Sequence, residues 1–313
     1  MQSVSAPLFS APATGDFDLG RRVYCLTIFF SGKDMTNGSS RAPHIAFVGA
    51  GNMASSIIGG LIDSGHPTDR ISAADPFPAS LERLHEVAPI AVYSDNAEAV
   101  AAADVIVLAV KPQVIAEATS SISAAVRANN AVVISIAAGV TIASMQARLG
   151  SAASIVRCMP NTPALLRCGA SGLFANDVST TRQRDFAQNI LSAVGMTFWV
   201  KSEQELDAVT ALSGSGPAYF FLFMEAMIDA GQQLGLERED ATNLAMETSF
   251  GASRMALEHK NIDLQELRRR VTSPGGTTER AIQSFEQDGL REIVARAMLA
   301  AADRAAEMAR EMG

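Results

Sequence analysis

The chain has 313 residues, 48% of them apolar and 19% charged, with a formal net charge of −8. This length favours about two domains with real cores, and the acidic balance argues against nucleic acid, which needs a basic face. No apolar run reaches the roughly 18 residues of a spanning helix, and Cys25, Cys158 and Cys168 form neither a metal spacing nor a disulfide framework, as expected of reduced thiols in a cytoplasmic protein.

Residues 1–43 show no periodicity, are rich in Ser, Ala and Gly, and read as a disordered extension. Within it "VYCLTIFF" (23–30) follows two arginines like a signal core, but no small-residue cleavage site succeeds it. Met35 is a candidate natural start. From His44 the pattern changes. "HIAFV" is a short strand, and "GAGNMASSIIGGLIDSG" opens a helix with Met53, Ile57 and Leu61 at helical spacing. "ISAAD", "DVIVLAV", "AVVISIA" and "SIVRCM" are further strands. Their unbroken apolar character marks burial on both faces of a parallel sheet. "GLFAN" and "MTFWV" add two more around a helix. Strand and helix alternate over 44–202, which predicts an α/β, Rossmann-type doubly wound sheet.

After Lys201 the strands stop, and 203–313 reads as an all-α domain interrupted at Gly-Ser-Gly-Pro. The helix from Pro217 is apolar nearly all round (Tyr219, Phe220, Phe221, Leu222, Phe223, Met224). A domain of about 110 residues has little room to enclose such a helix. A homodimer is therefore expected, with a helix covered by its own domain as the plainer alternative.

Gly49-Ala50-Gly51-Asn52-Met53-Ala54 is G-x-G-x-x-A between a strand and a helix, the context in which this pattern signals a dinucleotide. Gly49 allows the turn, Gly51 admits a pyrophosphate to the backbone, and Ala54 keeps helix and strand close. Asp75 ends the second strand, about 20 residues on, where an acid can accept from ribose hydroxyls. "LAVKPQ", "AAGVT" and "MPNTPA" are three stiff turns on one edge of the sheet, suggesting a cofactor crevice. In "VTSPGGTTERAI" the glycines are expected to expose their amides. Thr277 and Thr278 start a helix whose first N–H groups lack partners, a seat for a carboxylate; an ordinary connector with a threonine cap is the alternative. No Ser-His-Asp set and no obvious histidine acid is present. An imine suits such a site better than a ketone, because its nitrogen can already carry the proton.

"FVGAGNMA", "AVKP", "AAGVT", "MPNTPA", "DAVTALSGSGPAY" and "VTSPGGTT" occur in the order and spacing of pyrroline-5-carboxylate reductase, and the chain resembles that family over about residues 44–313. The resemblance implies reduction of 1-pyrroline-5-carboxylate to L-proline with NADPH or NADH. It also implies a Rossmann domain, a helical dimerisation and substrate-binding domain, and dimers that often assemble further. Carried over by motif, the cofactor contacts are Gly49, Ala50, Gly51, Asn52, Met53, Ala54, Asn96, Ala109, Val110, Lys111, Pro112 and Ala138, alongside Asp75. The substrate contacts are Ser273, Gly275, Gly276, Thr277, Thr278 and Glu203, with Thr278 near the ring nitrogen as the catalytic assignment. Arg270 and Cys168 depart from residues frequent in the family. A β-hydroxyacid-type dehydrogenase and a non-catalytic nicotinamide-binding sensor are the rival readings. The first usually needs a lysine on the second domain's helices, where Lys260 alone lies well inside.

Overall fold

The computed structural model describes residues 41–312. The apolar stretch at 23–30, Met35 and nearly all of the expected extension lie outside the described residues. Four short strands with every residue buried form the centre of a sheet: β1 (Ile45–Val48), β2 (Ile71–Ala74), β4 (Val105–Leu108) and β5 (Val132–Ser135). With β3 (Ala91–Tyr93), β6 (Ile155–Met159), β7 (Gly169–Ala175) and β8 (Gly195–Trp199) they make one eight-stranded sheet of order β3-β2-β1-β4-β5-β6-β7-β8. Register runs in parallel, with Ile45 opposite both Ile71 and Val105. The one antiparallel pair is β6–β7. Residues 160–168 are too few for a crossover between parallel strands, which takes a dozen or more, so the chain doubles back.

Alternation along each strand feeds two cores. Ile45 and Phe47 face α1 (Asn52–Asp63), α2 (Pro78–Val87) and α6 (Thr181–Ser192), through Ile57, Ile58, Leu84 and Ile190. Ala46 and Val48 face the other layer, α3 (Asn96–Val100), α4 (Ile115–Asn129) and α5 (Ile142–Leu149), through Val100, Ile122 and Met145. A fully buried side chain such as Phe47 contributes roughly 1.5–3 kcal/mol. This double cover is why the strands read as continuous apolar runs.

The remainder is helical: α7 (Glu205–Val209), α8 (Gly216–Gln233), α9 (Arg238–Glu258), α10 (Leu264–Arg270), α11 (Thr277–Gln287) and α12 (Leu290–Met312). The expected interruption at Gly-Ser-Gly-Pro is not a loop. Residues Thr210–Gly214 form a π turn that carries α7 into α8 without leaving helical dihedrals. In α8 to α12 the buried residues are Gly216, Ala241, Ala245 and Ala305, none larger than alanine. Meanwhile Phe220 (65% exposed), Phe221 (59%) and Leu222 (65%) stand in solvent. Helices with no large side chain buried have no core of their own, and an apolar surface this continuous calls for another protein surface over it.

Candidate active site

The nucleotide loop is built by backbone constraints. The Gly49 amide donates to the Ala74 carbonyl at 2.8 Å, and the Ala109 amide to Val48 at 2.8 Å, which ties the ends of β2, β1 and β4 together. Gly49 has φ of +100°, and a Cβ there would lie 2.6 Å from the Ala109 carbonyl oxygen. No other residue fits that turn. Gly51 then serves as the N-cap of α1, with no capping side chain and no acid in the first turn. A Cβ on Gly51 would meet nothing within 4 Å. Open space in front of an uncapped helix start is the geometry a pyrophosphate needs. The residues therefore fit a dinucleotide.

Asp75 lies at the end of β2, beside this loop. Its carboxylate is already engaged: Oδ2 accepts from the Ala50 amide and Oδ1 from the Phe77 amide, both at 2.9 Å. It shapes the glycine loop and takes the Ala50 amide out of the set of unengaged donors. Ala109, Val110, Lys111 and Pro112 follow β4 directly, with Lys111 exposed. Asn96 opens α3 and donates to Ser121 Oγ on α4 at 3.1 Å.

Ala138 occupies the turn after β5. Gly139 beside it adopts φ of +74°, and a Cβ there would lie 3.0 Å from Met308 Cβ, so the end of α12 seats on this turn. The following helix, α5, is capped by two side chains. Thr141 Oγ1 accepts from the Ser144 amide, and Glu203 Oε1 from the Ile142 amide at 2.8 Å. The same Glu203 oxygen accepts from Arg157 Nη1 at 2.7 Å, with side-chain exposures of 23% and 9%. Glu203, carried over as a substrate contact, is thus held within its own chain by a helix start and an arginine. Arg157 escaped the sequence reading. Its signal was a lone charge inside the apolar strand "SIVRCM". A cavity of about 20 Å³, room for one water, lies against Ala138, Arg157, Asp207, Thr210 and Met308. Burial raises the Asp207 carboxyl above its ordinary pKa.

The Ser-Pro-Gly-Gly bend differs in detail from the expectation of two exposed glycine amides. The Gly275 amide donates to Glu279 Oε2 at 2.8 Å, and the Gly276 amide to the Ser273 carbonyl at 3.0 Å. Gly275, at φ of +71°, makes the turn; Gly276 is the N-cap of α11, and no side chain caps that helix. The open donors therefore shift to Thr277 and Thr278, whose amides meet no acceptor among the described residues. Ser273, Thr277 and Thr278 are exposed, and no residue of 271–278 lines the cavity beside Ala138. The uncapped start of α11 thus lies outside the cavity beside Ala138 within one chain.

Comparison with known proteins gives these features a common origin. Residues 203–308 match the family model described as pyrroline-5-carboxylate reductase dimerisation, and residues 44–139 match one described as NADP oxidoreductase coenzyme F420-dependent. A pyrroline-5-carboxylate reductase of Pseudomonas aeruginosa is 51% identical over 87% of this chain and 98% of its own length. The chain belongs to the pyrroline-5-carboxylate reductase family. A member from Pasteurella multocida is 44% identical over 86% of this chain and 98% of its own length. Among solved structures, a family member from Coxiella burnetii superposes with a TM-score of 0.83 at 44% identity, covering 86% of this chain and 99% of that one. A Plasmodium falciparum pyrroline carboxylate reductase with NADP bound gives 0.74 at 28% identity, over 85% and 98%. Family membership explains the bare helices: α8 and its neighbours form the dimerisation region of a homo-oligomer.

Proposed function

We infer that this protein reduces the cyclic imine 1-pyrroline-5-carboxylate to L-proline with NADPH or NADH, the last step of proline biosynthesis. The observation that carries this reading is the match to pyrroline-5-carboxylate reductases along nearly their whole length. The uncapped starts of α1 and α11 support it, since they supply seats for a diphosphate and for a small carboxylate. The division of labour follows the chain, with 44–202 for the coenzyme and 203–313 for dimerisation and substrate.

In this reading Gly49, Ala50, Gly51, Asn52, Met53 and Ala54 hold the coenzyme's diphosphate. Asp75 faces the adenosine side, and Asn96, Ala109, Val110, Lys111, Pro112 and Ala138 line the remaining length. The bound coenzyme supplies the hydride. Thr277 and Thr278 offer two amides to the substrate carboxylate, and the Thr278 hydroxyl faces the ring nitrogen. Ser273, Gly275 and Gly276 set the bend that aims those amides, while Glu203 fixes α5 and the Ala138 turn from behind. The partner subunit's helices complete the enclosure that one chain leaves open. An imine nitrogen that arrives protonated needs no strong acid from the protein, so positioning supplies most of the rate. No helix among the described residues is long and apolar enough to cross a membrane, and a biosynthetic reductase of this kind belongs to the cytoplasm.

Loss of coenzyme absorbance on addition of pyrroline-5-carboxylate tests the reading. Oxidation that depends on the imine and forms L-proline is the expected result. No imine-dependent oxidation, with a β-hydroxy acid instead reducing the oxidised coenzyme, or coenzyme binding without turnover, would overturn it.

A further inference from the structure

The π turn between α7 and α8 has a sequence cause with a functional consequence. In an α-helix the carbonyl of Ser213 would accept from the amide four residues on, but that residue is Pro217, which has none. The π turn closes instead through the Ser215 amide, which donates to the Thr210 carbonyl at 2.8 Å. The stranded Ser213 carbonyl is met from outside the helix. Asn161, on the turn after β6, donates to it through Nδ2 at 3.1 Å, while its Oδ1 accepts from the Ala170 amide at 2.9 Å. The fit is close, because a Cβ on Gly214 would lie 2.6 Å from Met159 Cε.

The place of this clamp follows from the sheet order. The glycine loop stands over β1, and Asp75 marks the adenosine side over β2. A dinucleotide lying across the carboxyl ends of the strands then extends over β4 and β5 towards the Ala138 turn. The next parallel strand is β6, and the π turn rests on its end, beside the cavity that Ala138, Met159 and Thr210 share. Such turns concentrate at functional sites.

We propose that Asn161 is a positioning residue for the reduction: it pins the π turn over the nicotinamide side of the sheet and so fixes where the imine ring sits. This rests on the proposed function, and it assigns the ring-side wall of the same site. Asn161 touches neither substrate nor coenzyme; it acts through Ser213 and Gly214.

Asn161→Asp and Asn161→Ala separate the two bonds. The aspartate keeps the acceptor for Ala170 and loses the donor to Ser213; the alanine loses both. Both variants are expected to lower kcat/KM for pyrroline-5-carboxylate about tenfold, the effect of losing one such hydrogen bond. Coenzyme Kd, read by fluorescence, stays at the wild-type value, and N161D speeds hydrogen exchange at the amides of 213–216. N161D with wild-type kcat/KM, or with weakened coenzyme binding as its main effect, overturns the assignment. If Asn161→Ala does not fold, N161D alone decides. If the wild-type enzyme itself fails to reduce the imine, the proposed function falls, while unaltered exchange in N161D would separately remove the clamp.

Discussion

Replacing Glu203 by Gln separates two roles for a residue that family resemblance places with the substrate. In the structure Glu203 Oε1 accepts from the Ile142 amide and from Arg157. The amide oxygen of Gln can still cap α5, but it cannot neutralise Arg157, whose side chain is only 9% exposed. Breaking a fully buried ion pair costs about 3–5 kcal/mol. Two features reduce that here: Glu203 is 23% exposed, and Asp207 remains within electrostatic reach of Arg157. A charge-assisted hydrogen bond is itself worth about 1.5–3 kcal/mol, so the expected loss is about 2 kcal/mol. For a chain of this size that lowers Tm by roughly 3–4 °C. The assay is thermal unfolding at fixed protein concentration, because oligomerisation makes Tm concentration-dependent. Arg157→Met combined with Glu203→Gln should lose less than the sum of the single changes, since the orphaned charge is gone. A Glu203→Gln protein with wild-type Tm and a raised KM for the imine would refute the structural role and return Glu203 to the substrate.

Gly51→Ala should leave Tm close to wild type, since the added methyl meets nothing within 4 Å, yet raise the coenzyme KM roughly tenfold by intruding where the diphosphate sits; an unchanged KM would empty that seat of its role. Thr278→Ala should lower turnover and raise the imine KM, with a loss of about 1.5–3 kcal/mol in kcat/KM if the hydroxyl bonds a charged group; unchanged kcat/KM would contradict it. Burial raises the Asp207 carboxyl pKa, an effect that Arg157 opposes. The folded protein therefore binds that proton more tightly than the unfolded chain. The stabilisation is complete at low pH and is lost as pH rises through the raised value. Asp207→Asn should thus gain stability relative to wild type as pH climbs from the acid range to neutrality, and parallel Tm curves for the two proteins would refute the burial effect.

Much of this was legible in the chain. Strands buried on both faces announce themselves as "DVIVLAV" and "AVVISIA", and Gly49 announces its turn because only glycine fits it. The apolar face of α8 foretold a second copy. What escaped was side-chain traffic. That Asp75 would spend its oxygens on Ala50 and Phe77, that Glu203 would cap α5, and that Glu279 would take the Gly275 amide all depend on elements far apart in sequence or on one rotamer. The π turn was concealed for another reason. Gly-Ser-Gly-Pro signals a break by local propensity, but Asn161 and Met159 supply the contacts that keep it helical.

The most direct measurement is a crystal structure of the dimer with oxidised coenzyme and L-proline bound together. The proline carboxylate should lie about 3 Å from the Thr277 and Thr278 amides, with its ring carbon facing the nicotinamide over the Ala138 turn. Proline bound elsewhere, with the start of α11 remote from the nicotinamide, would contradict the two-seat arrangement on which the proposed reduction depends.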